Sequence, residues 1–306
     1  MNWNKFFGFE KRSTHVVQAL YLTIVLGCYA YTMYVVYTYV PSGVVSELQI
    51  GIVTILLIAS LFTFAVACIS DPGFITPDNV ELYAASFPRD QVLYAKEKTC
   101  ESCGYLVRPP RSRHCNACGH CVAKMDHHCP WINNCVGERN MRWFLLFLAV
   151  NTLYSAYGFL FIINIFKDFV VTDPGSRVLL SSHQAPIVLF FVFISLLWFH
   201  TGLLLFVATG ALGAVVALSY FIFILVNQVL DNVTTSEYFK IKELKKRSQL
   251  ASNGDDAFAY SSEFRYTDIP VISGPYFHAY NHGSKENFME MLYPPCTCHG
   301  HMSKFD

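Results

Sequence analysis

Seven of the chain's eleven cysteines fall between Cys100 and Cys135. With two histidines, six of them resolve into two interleaved sets of nearly equal spacing. Cys100, Cys103, His114 and Cys121 form one set; Cys115, Cys118, His128 and Cys135 form the other. Each supplies three thiolates and one imidazole, a common structural zinc set. A lone CxxC would be weak evidence for a metal, whereas two copies of one spacing within 36 residues are strong. Disulfides are the alternative, and they rarely persist in a reducing cytosol. The region is poor in apolar residues, so metal binding would supply much of its folding energy.

One cysteine of the seven is left over. Cys129 ends the run Asp126-His127-His128-Cys129. With His128 given to zinc, His127 and Asp126 remain beside the spare thiol. A neighbouring imidazole stabilises a thiolate. A carboxylate can hold that imidazole in one tautomer, which completes a nucleophile, a base and an orienting acid. The competing reading is an inert cysteine packed into the finger. His120, a further histidine, reads as a solvated loop residue.

The elements that must position these groups are membrane helices. Of 306 residues, 53% are hydrophobic and 14% charged, against about 25% charged in a soluble domain. Mean hydropathy is +0.35. Such a composition excludes disorder for most of the chain. Basic and acidic residues number 22 each, so no global field draws the chain to nucleic acid. Val16–Val40, Leu48–Ser70, Trp143–Phe166 and Ile187–Leu230 carry no Asp, Glu, Lys or Arg. A span needs about 20 apolar residues, and the first three stretches supply one each. The first is too long for a cleaved signal, whose apolar core is about 7–15 residues.

Lysines and arginines cluster before the first stretch, between the second and third, and after the fourth. By the positive-inside rule both termini and the cysteine region face the cytosol. The fourth stretch, 44 residues long, is then expected to cross once, over Leu203–Leu230. Ile187–Gly202 would form an interfacial or re-entrant helix, with His200, Gly202, Gly210 and Gly213 as break points. The expected architecture is an all-α polytopic membrane protein of four transmembrane helices. A cytosolic N-terminus (1–15) precedes spans one and two (16–70). A cytosolic two-zinc cysteine-rich domain follows (71–142), then spans three and four with the extra apolar segment (143–230), and a cytosolic tail (231–306). Asp71-Pro72-Gly73 ends span two.

Only 13 residues separate Cys129 from Trp143 at the start of span three. The thiol therefore sits near the membrane–cytosol interface, where Trp side chains favour residence. A nucleophile there can meet a substrate whose tail lies in the bilayer and whose head lies in water, which suggests acyl transfer.

These residues resemble the DHHC-type protein S-acyltransferases (palmitoyltransferases). The likeness runs from Cys100 to about Phe144 and includes His127-His128-Cys129-Pro130-Trp131 and Asn134-Cys135-Val136-Gly137. Asp71-Pro72-Gly73, Thr234-Thr235-Ser236-Glu237, and the tail around Gly283 and Asn287 extend it. The resemblance implies that Cys129 is acylated by a long-chain acyl-CoA such as palmitoyl-CoA, with His127 as base and Asp126 as its orienting group. The acyl group then passes to cytosolic cysteines of membrane-associated proteins. CoA phosphates call for cations near the site, and Arg108, Arg111 and Arg113 are the candidates, the alternative being a solvated cytosolic face. Asn151, Tyr154 and Tyr157 on span three, with Tyr29, Tyr31 and Tyr34 on span one, are candidates to line an acyl cavity. Tyr154, about 17 Å into span three at 1.5 Å per residue, is placed to close it near the end of a 16-carbon chain. An endomembrane (Golgi or ER) setting is expected ahead of the plasma membrane. Cys296, Cys298, His299 and His301 read as solvated tail, and the Asn232 sequon as cytosolic and unused. A nucleic-acid-binding double finger is disfavoured by neutral charge and membrane tethering. A transporter is disfavoured by spans without ionisable residues, and a catalytically weak adaptor by the intact Asp126, His127 and Cys129.

Overall fold

The computed structural model describes residues 14–39, 45–90, 93–94, 96–104, 107–172, 186–252 and 280–294, with backbone alone at 14, 39, 168–172, 186–201 and 247–252. Four long apolar helices dominate: α1 (Thr14–Tyr39), α2 (Glu47–Ile69), α4 (Met141–Thr172) and α5 (Pro186–Leu230). Short helices α3 (Val80–Ser86), α6 (Thr235–Ser252) and α7 (Ser284–Leu292) complete the helical set. Each long helix contains a stretch of spanning length and composition: His15–Thr38, Glu47–Ile69, Met141–Lys167 and Gly202–Leu230.

Pro186–Leu230 is one uninterrupted helix, which corrects the expected break at His200, Gly202, Gly210 or Gly213. Glycine weakens a helix in water by about 1 kcal/mol. At Gly210 and Gly213, inside the span Gly202–Leu230, a break would instead strand backbone N–H and C=O groups without water, a larger cost, so the helix runs through them.

The chain divides into two compact units, 1–67 with 145–223 and 68–144 with 224–306. In the first, α1, α2, α4 and α5 share a core that includes Met33, Val36, Val53, Phe161, Ile165 and Leu204. Leu26, Ile55, Phe62, Leu153 and Phe206 are exposed, as lipid-facing side chains must be. Its polar groups are paired internally: Tyr21 and Ser60 both bond Asn151 Oδ1 at 2.9 Å, and Asn151 donates to the Phe147 carbonyl.

The second unit carries the cysteines on two antiparallel hairpins, β1 (Arg113–Cys115) with β2 (His120–Val122) and β3 (His127–Cys129) with β4 (Asn134–Val136). The same register recurs: His114 faces Cys121, and His128 faces Cys135. Asp71 forms a turn by accepting the Gly73 and Phe74 N–H groups. Gly137 lets the hairpin approach that turn, because a Cβ there would lie 2.5 Å from the Pro72 oxygen. Asn134 Nδ2 donates to the Cys68 and Ser70 carbonyls at the end of α2.

Candidate active site and metal centres

The hairpins gather the expected ligands into two clusters, Cys100, Cys103, His114 and Cys121, and Cys115, Cys118, His128 and Cys135, each with its donor atoms within 4.8 Å of one another. Around tetrahedral zinc, sulfur at about 2.3 Å and nitrogen at about 2.0 Å stand about 3.5 Å apart. His114 Nδ1 lies 3.6, 3.3 and 3.9 Å from the sulfurs of Cys100, Cys103 and Cys121. His128 Nδ1 lies 3.6, 3.4 and 3.7 Å from those of Cys115, Cys118 and Cys135. Donor set and spacing both fit zinc, so these are two zinc-binding clusters.

The strand period separates the two adjacent histidines. Successive side chains of β3 point to opposite faces and alternate ones share a face. His128 turns to its cluster, while His127 and Cys129 share the other side. His127 Nδ1 is 2.7 Å from Asp126 Oδ2, and His127 is also hydrogen-bonded to Cys129. The Phe144 ring sits edge-on to the imidazole at 5.4 Å. Asp126 is buried, held by the Thr235 N–H (2.6 Å to Oδ1) and the Thr235 hydroxyl (3.0 Å to Oδ2).

Burial alone would lower the pKa of His127, but its bonds to Asp126 and Cys129 outweigh that and raise it to about 9. Burial pushes the Cys129 thiol up; His127 and the N–H groups of Ile132 and Trp131 bring it below its ordinary value. Both shifts favour a thiolate beside an imidazolium over a thiol beside a neutral imidazole.

The three expected arginines part company. Arg113 is exposed and Arg108 half-buried, but Arg111 is 1% exposed. Its guanidinium is bidentate to Glu237 at 2.9 and 2.8 Å and donates twice to Asn232. The expectation that Arg111 faces CoA is thereby corrected: its donors are spent inside the protein, because a buried cation must be fully paired. Glu237 also accepts the Tyr94 hydroxyl and the Thr234 N–H. Thr235 bonds Asp126 from the same short segment, so this ion pair braces the residue that holds Asp126. The Thr234–Glu237 motif signalled this segment, whereas nothing in the sequence pointed to Tyr94. A different cation joins Arg108 and Arg113. Lys240 of α6 lies over the Tyr94 ring at 5.3 Å. Burial lowers its pKa, and the charges of Lys98, Arg113 and Arg108 lower it further, so the four form one electropositive surface.

In the helical unit, Tyr154, Tyr157, Tyr29 and Tyr31 pack half-buried on the core, Tyr29 donating to or accepting from Thr54. Tyr34 is exposed, and Asn151 is spent on Tyr21, Ser60 and Phe147. His120 is exposed, against the Phe74 ring. Cys296, Cys298, His299 and His301 lie outside the described residues.

Residues 93–242 match the family model for DHHC palmitoyltransferases. This stretch is similar to a DHHC domain. The chain is 36% identical over 129 residues to "Palmitoyltransferase ZDHHC4" of Bos taurus, covering 40% of this chain and 37% of that protein. It is 38% identical over 138 residues to "Palmitoyltransferase ZDHHC15" of Xenopus laevis, covering 42% and 38%. A plant relative, "Probable protein S-acyltransferase 7" of Arabidopsis thaliana, is 36% identical over 113 residues, 36% of this chain and 25% of that protein. The likeness thus spans well under half of each relative's length. Both Cys/His clusters, Asp126, His127, Cys129 and the Thr234–Glu237 segment lie inside the residues matched by the family model, and four apolar helices suit a multi-pass membrane protein.

Proposed function

We propose that this chain is a membrane-embedded protein S-acyltransferase with Cys129 as its nucleophile. One observation carries the reading: of the seven clustered cysteines, Cys129 alone stands outside both metal clusters, and it is the one hydrogen-bonded to a histidine that an aspartate orients. The Cys129 thiolate attacks the thioester carbonyl of a long-chain acyl-CoA such as palmitoyl-CoA. The carbonyl–sulfur bond to CoA breaks, CoA leaves as a thiol with the proton held on His127, and the acyl group stays on Cys129. A cytosolic cysteine of a membrane-associated protein then gives its proton to His127 and takes the acyl group, which restores the thiolate–imidazolium pair. Asp126 keeps Nδ1 of His127 occupied, so the other ring nitrogen handles both protons. Thioester exchange is close to isoenergetic, and positioning and activation suffice.

Zinc at the two clusters would fix the hairpins and hence the β3 alternation. CoA phosphates would meet Arg108 and Arg113, joined by Lys98 and Lys240 in place of Arg111, because guanidinium groups pair well with phosphate. Tyr154 would bound the acyl chain. Both termini would lie in the cytosol of an endomembrane. The test is a pre-steady-state assay with palmitoyl-CoA. A burst of free CoA matching the amount of enzyme, lost in Cys129→Ala, supports the scheme. A burst that survives in Cys129→Ala contradicts it.

A further inference from the structure

A small cavity of about 30 Å³ in the cysteine-rich unit is lined by Lys124, Asp126, Glu138, Asn232, Asn287 and Glu290, among others. A water needs about 10–15 Å³, so the space suits one or two waters and no organic ligand. Its wall ties the zinc-binding loop to α7. Lys124 Nζ is 2.8 Å from Glu290 Oε1, and the other oxygen of Glu290 accepts Asn232 Nδ2 at 2.9 Å. Lys124 sits at φ 44°, in the left-handed region.

Glu138 is the group this arrangement leaves over. It is 5% exposed, and neither carboxylate oxygen has a donor among the described residues. Its backbone N–H bonds Ala123 beside Lys124. The charges facing it are Lys124, Glu290, Arg111 and Arg139. Arg111 is committed to Glu237, Arg139 to Asp71 at 2.7 Å, and Asp126 on the same wall to Thr235 and His127. Lys124 is therefore the cation with a second carboxylate in reach.

We propose that Glu138 is a proton-binding site that latches α7 to the zinc-binding loop: protonated, it leaves Lys124 to Glu290; ionised, it draws Lys124 off Glu290 and frees α7. Burial raises the Glu138 carboxyl, against the pull of Lys124, to about 7, so the change falls within the cytosolic range. Between the ordinary value of 4.5 and about 7 the folded chain holds this proton more tightly than the unfolded chain does. Stability and latching therefore decline as pH rises through that window. The inference does not rest on acyl transfer, and its test needs no substrate.

The experiment is hydrogen exchange of the Ser284–Leu292 segment in the full-length, zinc-loaded protein in detergent, corrected for intrinsic rates, at about pH 6 and about pH 8.5. Protection in the wild type should fall by up to about tenfold between about pH 6 and about pH 7, the slope of a one-proton switch, and level off above that. Glu138→Gln should stay protected at both values, and Glu290→Gln should be unprotected at both. Equal pH dependence in wild type and Glu138→Gln, or a wild-type drop retained in Glu290→Gln, overturns the proposal. Should Glu138→Gln fail to fold, infrared spectroscopy of the wild type decides. A buried protonated-carboxyl band lost between the two pH values supports the latch, and its absence at both overturns it.

Discussion

Replacing Arg111 by Gln separates a structural cation from a substrate-binding one. Arg111 and Glu237 are 1% and 0% exposed, and the guanidinium spans both carboxylate oxygens. Without it, Glu237 keeps the Tyr94 hydroxyl and the Thr234 N–H but has lost its counter-charge. Removing one partner of a buried pair costs about 3–5 kcal/mol. The titration of Glu237 gives a similar size. Burial alone would raise its pKa, yet Arg111 first, then the bonds from Thr234 and Tyr94, hold it at about 2 against an ordinary 4.5. At 1.36 kcal/mol per unit that is about 3 kcal/mol. Because the folded value is depressed, this stabilisation is complete above the ordinary value and is lost as pH falls toward 2. Arg111→Gln should thus lower unfolding free energy at pH 7 by about 3 kcal/mol, measured by denaturant unfolding in detergent with zinc content monitored. The double variant Arg111→Met with Glu237→Met should recover most of the loss, since apolar replacement of a buried pair is often neutral. At a temperature where the single variant stays folded, its KM for acyl-CoA should match wild type. Wild-type stability together with a raised KM would refute the reasoning and return Arg111 to the CoA surface.

The adjacent histidines should behave differently. His128→Ala should lose zinc and destabilise the unit, whereas His127→Ala should keep two zincs and acylate about 10²–10⁴-fold more slowly; metal analysis with a single-turnover assay separates them. Joint Gln substitution of Arg108, Arg113 and Lys240 should raise KM for acyl-CoA at unchanged zinc content. That effect should shrink in high salt, since exposed charges are screened within about 8–10 Å. Tyr154→Ala should shift a competition among acyl-CoAs toward chains longer than palmitoyl, read as acyl-enzyme masses; an unaltered preference would show that the ring does not bound the chain.

The metal ligands were legible because zinc imposes its own arithmetic: the spacing that pairs three thiols with one imidazole appears in the chain before any fold is known. Cys129, His127 and Asp126 followed by subtraction. The alternation of β3 explains why only one of the two histidines joins a cluster, since neighbouring side chains on a strand must face apart. The spans were legible from length and polarity. The unbroken α5 was misread because glycine was given its aqueous meaning, while hydrocarbon leaves a helix no better alternative. Arg111 was misread because sequence shows a charge and not its burial. Its partner lies 126 residues away, in a segment whose motif was visible and whose contact was not. Tyr94, Lys124, Glu138 and Glu290 gave no signal, because their roles come from packing between segments distant in the chain.

The central claim is that one thiol carries the acyl group. Purified, zinc-loaded protein incubated with palmitoyl-CoA, digested and analysed by mass spectrometry, should show a single hydroxylamine-labile palmitoyl adduct on the peptide containing Cys129, absent from a Cys129→Ser variant that retains both zincs. An adduct on another cysteine, or one that persists in Cys129→Ser, would contradict the account.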